Sequence, residues 1–312
     1  MDGILVINKP SGMTSHDVVA QLRRILKEKK IGHTGTLDPD ATGVLTVCIG
    51  KATKIIQFLD DNKKVYEGTI TFGIETETMD ASGRVTRISD SSKVEPDSVK
   101  RIFDSFVGVI LQIPPMVSAI KVKGERLYKL ARQGKTVERE PRKINIHGFE
   151  LIKFYSERVP EVDPDKVFSR ADFRVSCSKG TYVRVLASDV GEKLGCGAHL
   201  SRLIRTRSGG FTLESSIGLD EIKAEPDKAS SVALSIDDAL SFMPAIFTSD
   251  SGKRRFLNGV RIDESDVLDH EGEYQIDAFM RVYDQNRIFL GISRVVTDTQ
   301  VTNYKPVKVL GN

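Results

Sequence analysis

Residues 31–50, Ile-Gly-His-Thr-Gly-Thr-Leu-Asp-Pro-Asp-Ala-Thr-Gly-Val-Leu-Thr-Val-Cys-Ile-Gly, gather the side chains best suited to chemistry. His33 and Asp38 sit among four glycines and several threonines, and the apolar run Val44 to Ile49 follows at once. Glycine lets backbone N–H groups and a carboxylate approach a ligand closely, and a strand behind such a loop fixes its position. A single aspartate with an ordinary pKa of about 3.9 is ionised at neutral pH and can serve as nucleophile or base. A phosphate-cradling loop of the nucleotide triphosphatase kind does not fit. Six residues separate Gly43 from Gly50-Lys51, and Ala52 stands where that loop needs Ser or Thr. Asp38 and Asp40 with His33 could hold a hard cation, but Pro39 lies between the aspartates and no further carboxylates stand nearby, so no metal is expected.

A carboxylate in a dry pocket needs a cationic partner to stay charged. Arg184 is a candidate, early in a predicted helix and just after Lys179-Gly180-Thr181-Tyr182. Its guanidinium could grip a carboxylate with two hydrogen bonds. Residue type and position alone leave that pairing one among several.

The elements that must position these groups are legible in outline. Residues 3–8 read as a short strand ended by the turn Lys9-Pro10-Ser11-Gly12. Thr14-Ser15 would cap a helix carrying Val18, Leu22, Ile25 and Leu26 to about Lys29. Thr53 would cap a short helix with Ile55, Ile56 and Leu59. From Lys64 a strand alternates Tyr66, Gly68, Ile70 and Phe72 with the other face, and a polar acidic stretch, Met79 to Gly83, turns the chain. Pro96 opens the clearest amphipathic helix, with Val99, Ile102, Phe103, Phe106 and Val107, and Pro114-Pro115 is expected to stop its continuation. Residues 116–134 read as a basic hairpin or loop with Gly124, then a short helix around Leu127 and Leu130. Residues 156–170, polar with two prolines, read as an exposed connection. Phe173, Val175 and Cys177 form one face of a strand leading to a helix with Val183, Leu186, Ala187, Val190 and Leu194, closed by Gly195. Beyond residue 240, Tyr274–Ile276, Phe279–Tyr283, Ile288–Ile292 and Val307–Leu310 suggest a small barrel or sandwich.

A chain of 312 residues is long for one core. No stretch approaches a membrane span and the first residues lack a secretory pattern, so a cytoplasmic protein is expected. The cysteines, Cys48, Cys177 and Cys196, are widely spaced without a C-x-x-C pair, which fits core residues in a reducing compartment. The net charge of +3 is too small to demand a polyanion partner, but its distribution is uneven. Nine Lys or Arg face three Glu between Lys121 and Lys143, and Arg202, Arg205 and Arg207 form a second cluster. Two basic segments in a near-neutral chain suggest one charged face of the kind that binds a phosphate backbone, although each alone could be a solvated surface.

Four stretches carry a resemblance: Gly-Ile-Leu-Val-Ile-Asn-Lys-Pro-Ser-Gly-Met-Thr-Ser (3–15), Gly-His-Thr-Gly-Thr-Leu-Asp-Pro-Asp-Ala-Thr-Gly-Val-Leu (32–45), Pro-Pro-Met-Val-Ser-Ala-Ile-Lys-Val-Lys-Gly (114–124) and Cys-Ser-Lys-Gly-Thr-Tyr-Val-Arg (177–184). In content and order they closely resemble the bacterial tRNA pseudouridine-55 synthases, the TruB family. The resemblance implies an α+β fold in residues 1–240, a mixed and largely antiparallel sheet with flanking helices. It also implies a small β-barrel-like RNA-binding domain of the PUA type in residues 241–312. It implies a cofactor-free isomerase, an intramolecular transferase acting on one T-loop uridine, with the T-stem-loop of tRNA as partner and a monomeric state. Asp38 then matches the catalytic aspartate, Tyr66 the tyrosine that stacks on the target base, and Arg184 the arginine paired with the carboxylate. His33 matches a residue that fills space left by everted nucleotides, and Tyr182 and Leu203 match the lining of the base pocket. Lys9, Lys121, Lys123, Arg126, Lys129, Arg132, Arg142, Arg202 and Arg205 are expected to face RNA, with the 121–143 segment ordering on the stem. A tRNA-binding or folding factor of the same fold is the alternative, and the intact Asp38, Tyr66 and Arg184 set favours the enzyme.

Overall fold

A computed structural model describes residues 1–59, 63–118, 120–122, 124–298 and 301–311. Strand β1, Gly3–Lys9, is apolar and β-branched and is buried at every residue but Asn8. Thr14 caps helix α1, Ser15–Ile25, reciprocally: its hydroxyl accepts the Asp17 N–H at 3.1 Å, and the Asp17 carboxylate accepts the Thr14 N–H at 2.9 Å. The helix ends short of Lys29 because Leu26 closes it and Lys27 turns left-handed at φ 51°. Strand β2, Thr42–Ile49, follows the Gly-rich loop. Thr53 does not cap a helix. It lies inside a 3₁₀ turn, Gly50–Ile55, where its hydroxyl donates to the Gly50 carbonyl at 2.7 Å.

Strand β3, Lys63–Phe72, is buried on both faces from Gly68 onward. Helix α2, Pro96–Ser105, has proline in its first turn and buries Val99 and Phe103. Pro114-Pro115 does not end it; Gly108, at φ 108°, swings the chain into strand β4, Gly108–Gln112. A two-residue-per-strand hairpin, 121–122 with 125–126, then leads into helix α3, Leu127–Arg132, as expected.

The region read as an exposed connection, 156–170, is instead the far end of a long hairpin. Strand β5, Arg142–Val159, pairs with strand β6, Asp163–Ser178, and Tyr155 faces Arg170 across it. Most of residues 156–167 are exposed, so no apolar alternation marks them as strand. Helix α4, Val183–Leu194, ends on Gly195 at φ 78°, followed by strand β7, Ala198–Ser208, and strand β8, Ile217–Gly218.

These strands form one mixed sheet in the order β8-β1-β2-β7-β3-β6-β5-β4, with Ile31–His33 added on β2 and Phe211–Thr212 on β7. Among the described residues of this sheet only β8 with β1 and β7 with β2 run parallel. Helices α2 and α4 pack on one part of it through Val99, Phe103, Leu186 and Val190, against Phe72, Phe149 and Phe173. The Phe103 and Phe149 rings stack at 3.7 Å. Helix α1 covers β1 and β2 through Val18, Val19 and Leu22.

A second, six-stranded sheet runs Ile262–Asp263, Val301–Val309, Phe289–Asp298, Phe279–Asp284, Ala245–Thr248, Val267–Glu271. Tyr274–Ile276 is a turn region rather than a strand, and the Ala245–Thr248 and Val267–Glu271 strands were not legible in the sequence. The other face of β1 and β2 meets this sheet, where Ile4, Val44 and Cys48 pack in one cluster with Leu240, Ile292 and Leu310. Tyr283 donates to Asp237 at the same junction, and Arg281 pairs with Asp237 at 3.2 Å. Among the described residues no helix is long and apolar enough to cross a membrane.

Candidate active site

The Gly-rich loop is held by cations that bond to its backbone. Lys9, at the end of β1, is wholly buried and donates to the carbonyls of Pro10, Met13 and Pro39 at 2.6 to 2.8 Å. Burial pulls its ammonium down to about 8, with Asp40 and Asp38 pulling the other way. Arg205, on β7 and 1 % exposed, donates to the carbonyls of Val44, Thr36 and Gly35 at 2.8, 3.3 and 3.1 Å. Ser15, at the start of α1, accepts the Leu37 N–H at 2.8 Å. Both Lys9 and Arg205 were expected to face RNA; their charges are instead engaged inside the fold, under the loop.

Gly43 is required where it stands. It adopts φ 100°, and a Cβ there would lie 2.3 Å from the Arg205 carbonyl oxygen. The loop itself closes as a turn in which the Ala41 N–H reaches the Asp38 carbonyl at 3.2 Å, with Pro39 at the second position. Asp38 is thereby presented on a rigid corner.

Arg184 comes from the second residue of α4 and is buried, 4 % exposed. Its Nη2 lies 3.2 Å from Asp38 Oδ1 and donates to the Val117 carbonyl at 2.7 Å, while Nη1 lies 3.4 Å from Asp80 Oδ2. Burial pushes the Asp38 carboxyl above the ordinary range; Arg184 opposes the shift, and Asp80 and Asp40 add to it. In the sequence Asp80 stands only as part of an acidic turn. It is fastened there by Thr78 Oγ1 and Ser82 Oγ, each donating to its Oδ1 at 2.6 Å. Backbone bonds of Leu200 to Met79 and of Ala81 to Leu200 dock the turn on β7. The Thr-x-Asp-x-Ser spacing is the available signal, and it speaks of a turn and not of a partner 104 residues away.

Asp38, Tyr66, Tyr182, Arg184 and Leu203 line one cavity of about 260 Å³, with Lys64 and Ser118 also in its wall. A second cavity of about 330 Å³ shares Asp38, Arg184 and Leu203 and reaches Asp40, Asp80 and Arg202. Tyr66 is 7 % exposed, and burial raises its phenol, partly offset by the Arg205 charge. Gln112 holds the Tyr182 backbone from both sides, accepting its N–H at 2.8 Å and donating to its carbonyl at 3.1 Å. His33 pairs with Val47 on β2 and lines neither cavity; burial and the Arg205 charge lower its imidazole.

Arg126, Lys129, Arg142 and Arg202 are exposed, as a phosphate-facing surface needs. Lys123 lies outside the described residues, as do the side chains of Lys121 and Arg132.

The profile of the TruB family pseudouridylate synthase N-terminal domain matches residues 23–183, and that of the tRNA pseudouridylate synthase B C-terminal domain matches residues 184–241. The chain is 43 % identical over 320 aligned positions to a tRNA pseudouridine synthase B of Bacillus cereus, covering 100 % of this chain and 98 % of that protein. It is 43 % identical to one of Clostridium perfringens, over 94 % of this chain and 95 % of that one. Among solved structures it resembles a chain of an H/ACA RNP bound to a substrate RNA containing 2′-deoxyuridine, with TM-score 0.74 at 22 % identity over 99 % of this chain and 85 % of that chain. A chain of a Cbf5-Nop10-Gar1 complex gives the same TM-score at 24 % identity, over 98 % and 84 %. At those identities the solved structures speak for the fold, and the sequence matches speak for the lineage. With Asp38 and Arg184 joined at 3.2 Å inside a cavity, and with matches across its whole length, the chain belongs to the TruB family of pseudouridylate synthases.

Proposed function

We propose that this protein isomerises the T-loop uridine at position 55 of tRNA to pseudouridine, without a cofactor, with Asp38 as nucleophile on a base flipped from the stack. The observation that carries it is the Asp38–Arg184 pair at 3.2 Å in the wall of a cavity that Tyr66 and Leu203 also line. Binding RNA needs only a basic face and stacking surfaces, whereas an aspartate kept against a buried guanidinium is what bond exchange at a nucleoside needs. The reaction conserves atoms: the C1′–N1 bond breaks, a C1′–C5 bond forms, and the proton at C5 leaves as one is gained at N1. Asp38 attacks either the anomeric carbon or the uracil ring and is released at the end.

Extruding the base costs a few kcal/mol of lost stacking, which the pocket must return. Tyr66 stacks on the uracil with its phenol held neutral by burial, available for proton transfer. Leu203 and Tyr182 complete the base pocket, His33 fills space vacated in the loop, and Arg184 orients the carboxylate and keeps it charged.

Residues 1–240 form the catalytic unit and 241–312 an RNA-binding unit of PUA type, a division supported by the separate six-stranded sheet. Arg126, Lys129, Arg142 and Arg202, with Lys121, Lys123 and Arg132, contact the stem. The protein works as a monomer in the cytoplasm, consistent with three buried, unpaired cysteines. The test is to incubate the chain with a T-stem-loop RNA and map pseudouridine. Asp38→Ala is expected to abolish product while RNA affinity stays within a few fold; product from that variant would refute the role of Asp38.

A further inference from the structure

The wall of the 260 Å³ cavity has the donors for an anion. Helix α4 opens at Val183 with Tyr182 as N-cap, and no side chain caps it. The first amide bonded back is that of Leu186, to the Tyr182 carbonyl at 3.1 Å. The amides of Val183, Arg184 and Val185 have no hydrogen-bond acceptor among the described residues, so the positive end of a 12-residue helix stays open. Gly180, Thr181, Tyr182, Val183 and Arg184 border the cavity at this point.

A second, independent feature lies in the same wall. Ser118 is 6 % exposed, and its Oγ finds no partner among the described residues. A buried hydroxyl left unpaired is destabilising, and a ligand oxygen would relieve that penalty. The neighbouring Val117 carbonyl is bonded to Arg184 at 2.7 Å, which ties the Ser118 segment to the helix opening. Lys64 brings a positive charge into this wall from β3, two residues before Tyr66, and is 8 % exposed. A Cβ on Gly35 would sit 3.1 Å from its Nζ, so the absence of a side chain at 35 leaves the ammonium its room.

A neutral uracil carbonyl would use the hydroxyl but not the charge. An RNA strand entering this cavity carries one anion per nucleotide, its phosphodiester. We propose that this cavity wall seats a phosphodiester oxygen next to the target uridine, with Ser118 Oγ and the opening amides of α4 as donors and Lys64 as counter-charge. The proposal rests on the RNA-isomerase function above.

The test is equilibrium binding of T-stem-loop RNAs by the full chain, in which one linkage, 5′ or 3′ of the target uridine, is a neutral methylphosphonate. The wild type is expected to bind about tenfold more weakly when one of these two linkages is neutral, the size of a lost charge-assisted hydrogen bond. Ser118→Ala and Lys64→Met are each expected to bind unmodified RNA more weakly and to lose most of the discrimination at that same linkage. A wild type indifferent to both neutral linkages overturns the proposal, as does a Ser118→Ala variant that keeps the full penalty. Pseudouridine mapping on the unmodified RNA is read separately: absence of product there would refute the isomerase and leave the affinity result standing.

Discussion

Arg184 and Asp38 meet at 3.2 Å with opposite exposures, the guanidinium side chain 4 % accessible and the carboxylate 45 %. The cation is buried and committed, while the anion faces the cavity. In the proposed reaction such an asymmetry suits the arginine to be a fixed mount and the aspartate the working group, because a buried guanidinium stays charged whatever occupies the cavity.

Arg184→Lys keeps the charge and loses the fork. One ammonium cannot reach Asp38, Asp80 and the Val117 carbonyl in the positions that Nη1 and Nη2 now hold. Loss of one charge-assisted hydrogen bond, about 1.5 to 3 kcal/mol, corresponds to a slowing of about ten- to a hundredfold. Single-turnover pseudouridine formation at saturating enzyme measures it, and an unchanged rate would show that the pairing does not matter to the reaction.

Asp80→Asn should move the acid side of the pH–rate profile. The Asp80 charge adds to the upward shift of Asp38, and in the proposed reaction Asp38 must be ionised to attack, so activity is expected to fall as pH drops through its raised pKa. Removing a neighbouring negative charge lowers that pKa, and the acid limb is expected at lower pH than in the wild type. The plateau rate also falls, since Arg184 loses one of its two carboxylates. A limb that stays in place would mean that Asp38 does not control it.

Lys9 binds a proton less readily folded than unfolded, being pulled from 10.5 to about 8 by burial. Between those values the unfolded chain holds the extra proton, so stability from this group rises as pH climbs from about 8 to 10.5. Urea titrations of the wild type and Lys9→Met at several pH values would show it as a slope present in the first and missing in the second. The variant is also expected to lose rate, because the Pro39 carbonyl beside Asp38 loses its clamp.

Gly43→Ala tests the close approach of loop and strand. Its backbone sits at φ 100° and the new methyl would meet the Arg205 carbonyl at 2.3 Å, a main-chain atom that cannot swing away. A loss of about 2 to 4 kcal/mol is expected from strain and overpacking together, read as a lower denaturation midpoint. An unaffected midpoint would mean that β2 and β7 can part there at no cost.

Local pattern alone determined β1, α1, α2 and α4: β1 is a continuous apolar run ended by the Lys9-Pro10-Ser11-Gly12 turn, and each helix buries an apolar face and carries its own start or stop signal, the Thr14 cap, Pro96 and Gly195. Sequence motifs singled out Asp38, Tyr66, Tyr182, Arg184 and Leu203, and all five line one cavity. What only the tertiary structure decided is where charge and hydroxyl groups go. Lys9 and Arg205 look like surface cations until backbone carbonyls from a distant loop converge on them. Asp80 looks like a turn residue until β7 carries the turn to Arg184, and Ser118 has no meaning apart from the helix end beside it. The 156–170 hairpin was hidden for the converse reason: cross-strand pairing holds it, and with most of its side chains in solvent it has little buried face to announce a strand. Periodicity records burial against a local core, whereas this site is made by contacts between segments more than a hundred residues apart, and no local pattern encodes those.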